Sequence, residues 1–202
     1  MRLYRTFLAT LVFATSLTLG TAVAQTQANE ATATKPLNGP VIQRIRDKQT
    51  LTIAYNSDQA PFSLTGDDGL PTGYAVDLCK IVASQLVTQL DMKLMDVRWI
   101  KTNTRTRFDT IESGEADLEC SATSNTLDRQ RNFAFSLTTF IQGATFAVRN
   151  DANLEKLDHL ADKKLAVVRN TTTSKLMKQA IASGQMQATL IEAKSFEAAG
   201  NM

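Results

Sequence analysis

The sequence holds a single histidine, His159, and only two cysteines, Cys79 and Cys120. That scarcity disfavours several chemistries at once. Nothing in the chain has zinc-ligand spacing, so no metal is expected. His159 has no nucleophile motif beside it, which disfavours a serine or cysteine hydrolase. Charge of one sign is also missing. The net charge is +2 at pH 7, and the cations are scattered among acids instead of forming a basic stripe, so nucleic acid is not an expected partner. After the first 24 residues no segment is apolar enough to span a bilayer. No cofactor is expected either.

What is present begins with Arg2 and Arg5, an apolar run from Phe7 to Leu19, and Ala22-Val23-Ala24 before Gln25. This is the pattern of a cleaved signal peptide over residues 1–24. Thr10, Thr15, Ser16 and Thr18 interrupt the run, leaving it short of the roughly 18 to 20 apolar residues a membrane anchor needs. With no cysteine near the cleavage site, lipid attachment there is not expected, and the product is predicted to be a soluble protein of the periplasm. Residues 25–40 are rich in Ala, Thr, Gln and Asn, too poor in large apolar side chains to offset the entropy of ordering, and read as a flexible leader. In an oxidising compartment Cys79 and Cys120 form either a bridge or two buried thiols, and both readings stay open.

Val41 to Lys48 has the spacing of a short amphipathic helix, and Leu51 to Tyr55 alternates as a strand. Phe62–Leu64, the turn Gly66–Gly69 and Pro71–Tyr74 follow as extended pieces around a tight bend. Val76, Leu78, Cys79, Val82, Ala83, Leu86, Val87 and Leu90 predict a helix from Ala75 to Leu90 lying on a sheet. A strand is expected over Met92–Ile100, a short helix over Phe108–Ser113 stopped by Gly114, and another strand over Ala116–Cys120. Such alternation argues a mainly parallel α/β sheet. Phe133 to Arg149 is aromatic and β-branched, reads as extended, and would cross to a second unit. There the pattern restarts with strands at Leu165–Val168 and Ala188–Ala193 around a helix at Ser174–Ala182. Two strands and one helix do not bury both faces of a sheet, so the second unit is expected to be incomplete and the chain a truncated product or fragment.

Loops after parallel strands gather unpaired N–H groups and hydroxyls, and small anionic ligands bind there. Asn103–Arg107, Ser121–Arg129 and Asn170–Ser174 suit that role. An amino acid out of water needs its α-carboxylate matched by a bidentate guanidinium and its ammonium by a carboxylate or carbonyls. Arg129 is the candidate guanidinium. The competing readings are a solvated charge cluster for Asp128, Arg129 and Arg131, and a plain helix N-cap for Thr171 to Thr173.

The ordered set Ala60-Pro61-Phe62, Gly73-Tyr74 with Asp77, Arg107, Ser113 to Cys120, Asp128-Arg129-Gln130 and Phe135-Ser136 resembles the extracellular solute-binding protein family 3, in particular the glutamate/aspartate-binding branch of ABC importers. The resemblance implies an α/β, periplasmic-binding-protein-like two-lobe fold of type II. Lobe 1 would occupy residues 41–143, and residues 144–202 would form the hinge crossing and part of lobe 2. It further implies that Arg129 and Ser124 grip the α-carboxylate, that the Ala122 carbonyl faces the ammonium, and that Thr172 completes the site. Thr104 and Arg107 match positions that hold the distal carboxylate. Asn56 stands where that branch has an arginine, and no histidine occurs near Lys194 to Gly200, which leaves glutamine, asparagine or another polar amino acid open as ligand. The implied partners are an amino acid and the membrane permease of an ABC importer, with the receptor a monomer and not an enzyme. Two other readings use the same fold: a periplasmic dehydratase acting on a prephenate-like acid, with Glu119 the only candidate acid or base, and a ligand-sensing domain.

Overall fold

The computed structural model describes residues 37–202 apart from residue 153. The expected signal peptide and the leader up to residue 36 lie outside the described residues. Helix α1 (Pro40–Lys48) starts on a proline, whose missing N–H is no loss in a first turn. It ends at Gln49, which takes the left-handed conformation, and Arg46 and Lys48 in its last turn complement the helix dipole. The chain then runs through β1 (Thr50–Asn56), the short strands β2 (Asp58–Gln59), β3 (Ser63–Thr65) and β4 (Pro71–Thr72), and helix α2 (Tyr74–Gln89). Strand β5 (Asp96–Thr102), helix α3 (Arg107–Glu112) and strand β6 (Leu118–Cys120) complete a first α/β unit. A second contains β7 (Lys163–Val168), α4 (Thr172–Ala182), β8 (Ala188–Ala193) and α5 (Phe196–Gly200).

Strand β1 is the centre of a parallel sheet ordered β5-β1-β6, with Ile53 opposite both Trp99 and Leu118. Strands β7 and β8 pair in parallel, and β2, β3 and β4 form a small antiparallel sheet. Ile45, Leu51, Ile53, Ala83, Leu90, Met95 and Cys120 make up one buried cluster, so α1 and α2 cover β1 from the core side. Two covalent or ionic ties close this unit. A disulfide joins Cys79 on α2 to Cys120 at the end of β6, with Cα atoms 6.3 Å apart. The Asp117 carboxylate accepts from Arg44 Nε at 3.1 Å and from the Thr52 backbone N–H at 2.8 Å, locking α1 and the entry to β6 onto β1. Among the described residues no helix is long and apolar enough to cross a membrane.

Several expectations need correction. Strand β5 starts at Asp96 and not at Met92, because Leu90 to Met92 close α2: the Met92 N–H bonds the Val87 carbonyl at 3.0 Å while Asp91 adopts φ 51°. Val82 is 44% exposed; six residues beyond buried Val76, it lies about 240° around the helix from the core stripe. The segment 133–149 contains no strand, although its composition favours one; Leu137 is 91% exposed and Ile141 87%. A strand exists only where a neighbouring ladder takes its N–H and C=O groups. Helix α5 was not expected, yet Ser195 caps it, its hydroxyl accepting from the Ala198 N–H at 3.0 Å.

Gly73 is fixed by close approach. Its φ is +115°, and a Cβ there would lie 2.7 Å from the Phe62 carbonyl carbon. The first N–H groups of α2, on Tyr74 and Ala75, bond the carbonyls of Pro61 and Phe62 at 3.0 and 2.9 Å. Residues 60–62 are thereby held at the end of the first unit, where the site lies.

Candidate ligand-binding site

Strands β1, β5, β6 and β7 all deliver their C-terminal ends to one region. After β5, the Asn103 side chain accepts from the N–H groups of Arg105 and Thr106 at 2.9 and 3.2 Å, and the turn places Arg107 at the start of α3. After β6, the loop 121–128 leads to a 3-10 turn that begins at Arg129. After β7, the Thr171 hydroxyl accepts from the Ser174 N–H at 3.1 Å, capping α4 and exposing Thr172 in its first turn.

These loops enclose a cavity of about 630 Å³. Arg107, Ala122, Ser124 and Arg129 line it from the first unit, Thr171 and Thr172 from the second, and Pro61 and Phe62 form an apolar wall. The Ser124 and Thr172 hydroxyls meet across it at 3.1 Å. Arg129 donates to the Ser124 carbonyl at 2.7 Å, which aims its guanidinium along the same wall. Arg107 is 3% exposed and reaches between the units: it donates to the Thr104 carbonyl and, at 3.1 Å, to the Asn170 carbonyl, while its Nε–H is buried without a partner. Of the residues expected here, Asn56 and Thr104 do not line this cavity. They line an adjoining one of about 510 Å³. The Asn56 side chain is spent locally, accepting from the Asp58 N–H at 3.0 Å.

Three residues that matter to this geometry escaped the sequence reading. Gln59, buried on β2, accepts from the Ala122 N–H through its side-chain oxygen at 3.1 Å and so fixes the backbone of the β6 loop. Phe108 lies 4.6 Å from the Arg107 guanidinium and 4.9 Å from that of Arg129, a shared aromatic platform for two cations. Arg169, directly after β7, lines the smaller cavity. Only Phe108 had a local signal, its place beside Arg107.

Glu119 on β6 accepts from the hydroxyls of Ser121 and, at 3.2 Å, Thr123. Burial pushes its carboxyl above the ordinary range, opposed by the Ser121 bond, the charge of Arg107, the Thr123 bond and the charge of Arg129. Burial likewise lowers the pKa of Arg107 and of Arg129, with Glu119 pulling both back up. Guanidinium stays charged at any physiological pH, so the cavity carries two fixed positive charges. Glu119 is not among the residues lining it. Among the described residues no group of three or more His, Cys, Asp and Glu side chains could hold a metal ion.

Two α/β units with parallel strands, joined by one long crossing and meeting around arginines and hydroxyls at their strand ends, define a two-lobed, periplasmic-binding-protein-like fold of type II. Solved structures share it. An amino acid ABC transporter substrate-binding protein from Streptococcus pneumoniae, bound to L-arginine, aligns with a TM-score of 0.70 at 21% identity, covering 81% of this chain and 65% of that one. An ancestral amino acid-binding protein described as a precursor of cyclohexadienyl dehydratase gives the same TM-score at 23% identity, covering 80% of this chain and 68% of that one.

The family model for bacterial extracellular solute-binding proteins, family 3, matches residues 51–195, and the chain belongs to that family. It is 29% identical over 154 residues to the L-glutamate/L-aspartate-binding protein of Pseudomonas aeruginosa, covering 76% of this chain and 51% of that protein. It is 25% identical over 186 residues to the glutamate/aspartate import solute-binding protein of Escherichia coli, covering 92% of this chain and 59% of that protein. The chain thus spans little more than half the length of these curated relatives.

Proposed function

We propose that this protein captures a free amino acid between its two α/β units and, in the closed form, presents it to the membrane permease of an ABC importer. The observation that carries this reading is the convergence of the Arg129 guanidinium with the Ser124–Thr172 hydroxyl pair, 3.1 Å apart, in one cavity. A carboxylate seated there would receive charge-assisted donors from both units at once. Those contacts exist only when the units are together, so ligand binding favours closure. The Ala122 backbone, held by Gln59, serves the ammonium, and residue 143 on the crossing divides lobe 1 (41–143) from the hinge and lobe 2 (144–202). The Arg- and Ala-flanked apolar start of the sequence supports export to the periplasm, and the names of the relatives in Pseudomonas and Escherichia support an acidic or other polar amino acid as ligand. The receptor acts as a monomer, and Glu119 orders the β6 loop through Ser121 and Thr123 instead of acting as an acid or base.

Thermal unfolding of the protein with each common amino acid at millimolar concentration tests this. At least one polar or acidic amino acid raises the midpoint, because binding to the native state stabilises it by mass action. Arg129→Ala abolishes the rise without preventing cooperative unfolding. A panel with no rise anywhere contradicts the proposal.

A further inference from the structure

The crossing between the two units is weakly held, yet it shapes the site: Gln142, Gly143 and Ala144 line the same cavity as Arg129 and Ser124. Among the described residues no backbone N–H or carbonyl of residues 134–148 has a backbone partner, and every residue from 136 to 150 is exposed. With no ladder, other contacts must place the three cavity residues. One tether is Phe133, whose N–H bonds the Arg129 carbonyl at 3.0 Å and whose ring lies 4.9 Å from that of Phe108. The other is Tyr74, the first residue of α2. Its hydroxyl donates to the Thr139 carbonyl at 2.8 Å. Its ring stands edge-on to both Phe62 and Phe140, with centroids 6.0 Å away in each case, and those two rings are themselves 4.9 Å apart. Edge-to-face pairs add attraction beyond the area they bury, which matters because Tyr74 is 42% exposed and Phe140 55%. The Tyr74 backbone is fixed in turn, its N–H bonding the Pro61 carbonyl at 3.0 Å. From Ile141 to Val148, among the described residues, no hydrogen bond holds the crossing before the 3-10 turn at Asn150–Ala152.

We infer that Tyr74 is a positioning residue for ligand binding: with Phe140 it moors the crossing to the first unit, so that bending during closure is confined to the stretch beyond Phe140. The inference rests on closure of the two units being the mode of ligand capture. Tyr74 does not line the cavity; it acts through Phe62, which does, and through the Thr139 carbonyl, three residues before Gln142. Without the mooring, the free part of the crossing grows from residues 141–149 to residues 134–149, nearly doubling its length. A longer flexible segment costs more entropy to close. The closed form is then less populated, and the apparent affinity falls in proportion.

Brief chymotrypsin digestion with no amino acid present, read by mass spectrometry, tests the mooring in Tyr74→Phe, which keeps the three rings and removes only the donor to Thr139. Tyr55→Phe is the matched control, because the Tyr55 hydroxyl bonds that of Thr65 at 3.1 Å, away from the crossing. Phe140 must leave Phe62 and Tyr74 to enter the protease, so cutting after it tracks the unmoored population. The expected result is cutting after Phe140 about three- to tenfold faster in Tyr74→Phe and unchanged in Tyr55→Phe, both variants being folded by circular dichroism. Calorimetric titration with the common amino acids tests the effect on binding. The double variant Tyr74→Phe/Phe140→Ala, which lacks both ties, binds at least about threefold more weakly, while Tyr55→Phe binds as the unsubstituted protein does. Equal cutting after Phe140 in the two single variants overturns the mooring, and undiminished affinity in the double variant overturns its part in binding. If no common amino acid binds the unsubstituted protein, the receptor reading fails and the role in binding with it, while the digestion still decides the mooring by itself.

Discussion

Reduction of the Cys79–Cys120 bridge is the perturbation whose cost is most directly worked from the structure. The bridge spans 41 residues and connects α2 to the last residue of β6. In the chain-entropy view, opening a loop of that length costs about 4 kcal/mol of stability at 25 °C. Cys120 is 2% exposed and sits in the cluster with Leu51 and Ile53. Reduction leaves both thiols in place, so it removes the cross-link and spares the packing, whereas a buried serine at position 120 would add an unsatisfied hydroxyl. Against a typical domain stability of about 5–15 kcal/mol, the loss is large. Equilibrium urea unfolding with and without dithiothreitol measures it. With a slope of about 2 kcal/mol/M, the midpoint falls by about 2 M. Oxidised and reduced curves that coincide would show that the bridge contributes no stability.

Asp117→Ala removes the acceptor for Arg44 and for the Thr52 N–H; Asp117 is 6% exposed and Arg44 34%, so the loss lies below the full cost of a buried pair, at about 2–3 kcal/mol. Denaturant unfolding checks it, and a loss under about 1 kcal/mol contradicts the assigned role. Glu119→Gln tests the raised carboxyl. A native pKa above the unfolded one means the native state holds its proton longer, so stability from this group is full below the unfolded value of about 4.3 and is lost as pH rises through the native one. The Gln variant therefore loses less stability than the unsubstituted protein as pH climbs from about 4 toward neutrality. Parallel curves of urea midpoint against pH would show that the burial of Glu119 has no such effect.

Much of the fold was readable because it depends on local pattern. The 3.6-residue stripe of α2 and the β-prone composition of β1 are local signals, and α2, β1 and β8 all fall within a residue or two of expectation. Phe133 to Arg149 shows the limit. Aromatic and β-branched residues suit a pleated, half-buried surface, but whether a ladder stands beside them is a tertiary fact. In the site, Arg129, Ser124 and Thr172 stood out by residue type at strand ends and by family resemblance, and they line one cavity with Arg107 and Ala122. Asn56 lines the adjoining cavity with Thr104, and its side-chain oxygen is taken by a backbone N–H two residues on, a competition that no motif displays. Gln59 and Arg169 were missed for the same kind of reason: each acts through a partner far away in the chain.

The most direct test is a crystal structure of the protein grown with L-glutamate. The α-carboxylate is expected between the Arg129 guanidinium and the hydroxyls of Ser124 and Thr172, at charge-assisted distances of about 2.7–2.9 Å from the guanidinium. Density for the ligand elsewhere, or a carboxylate that leaves Arg129 unengaged, would contradict it.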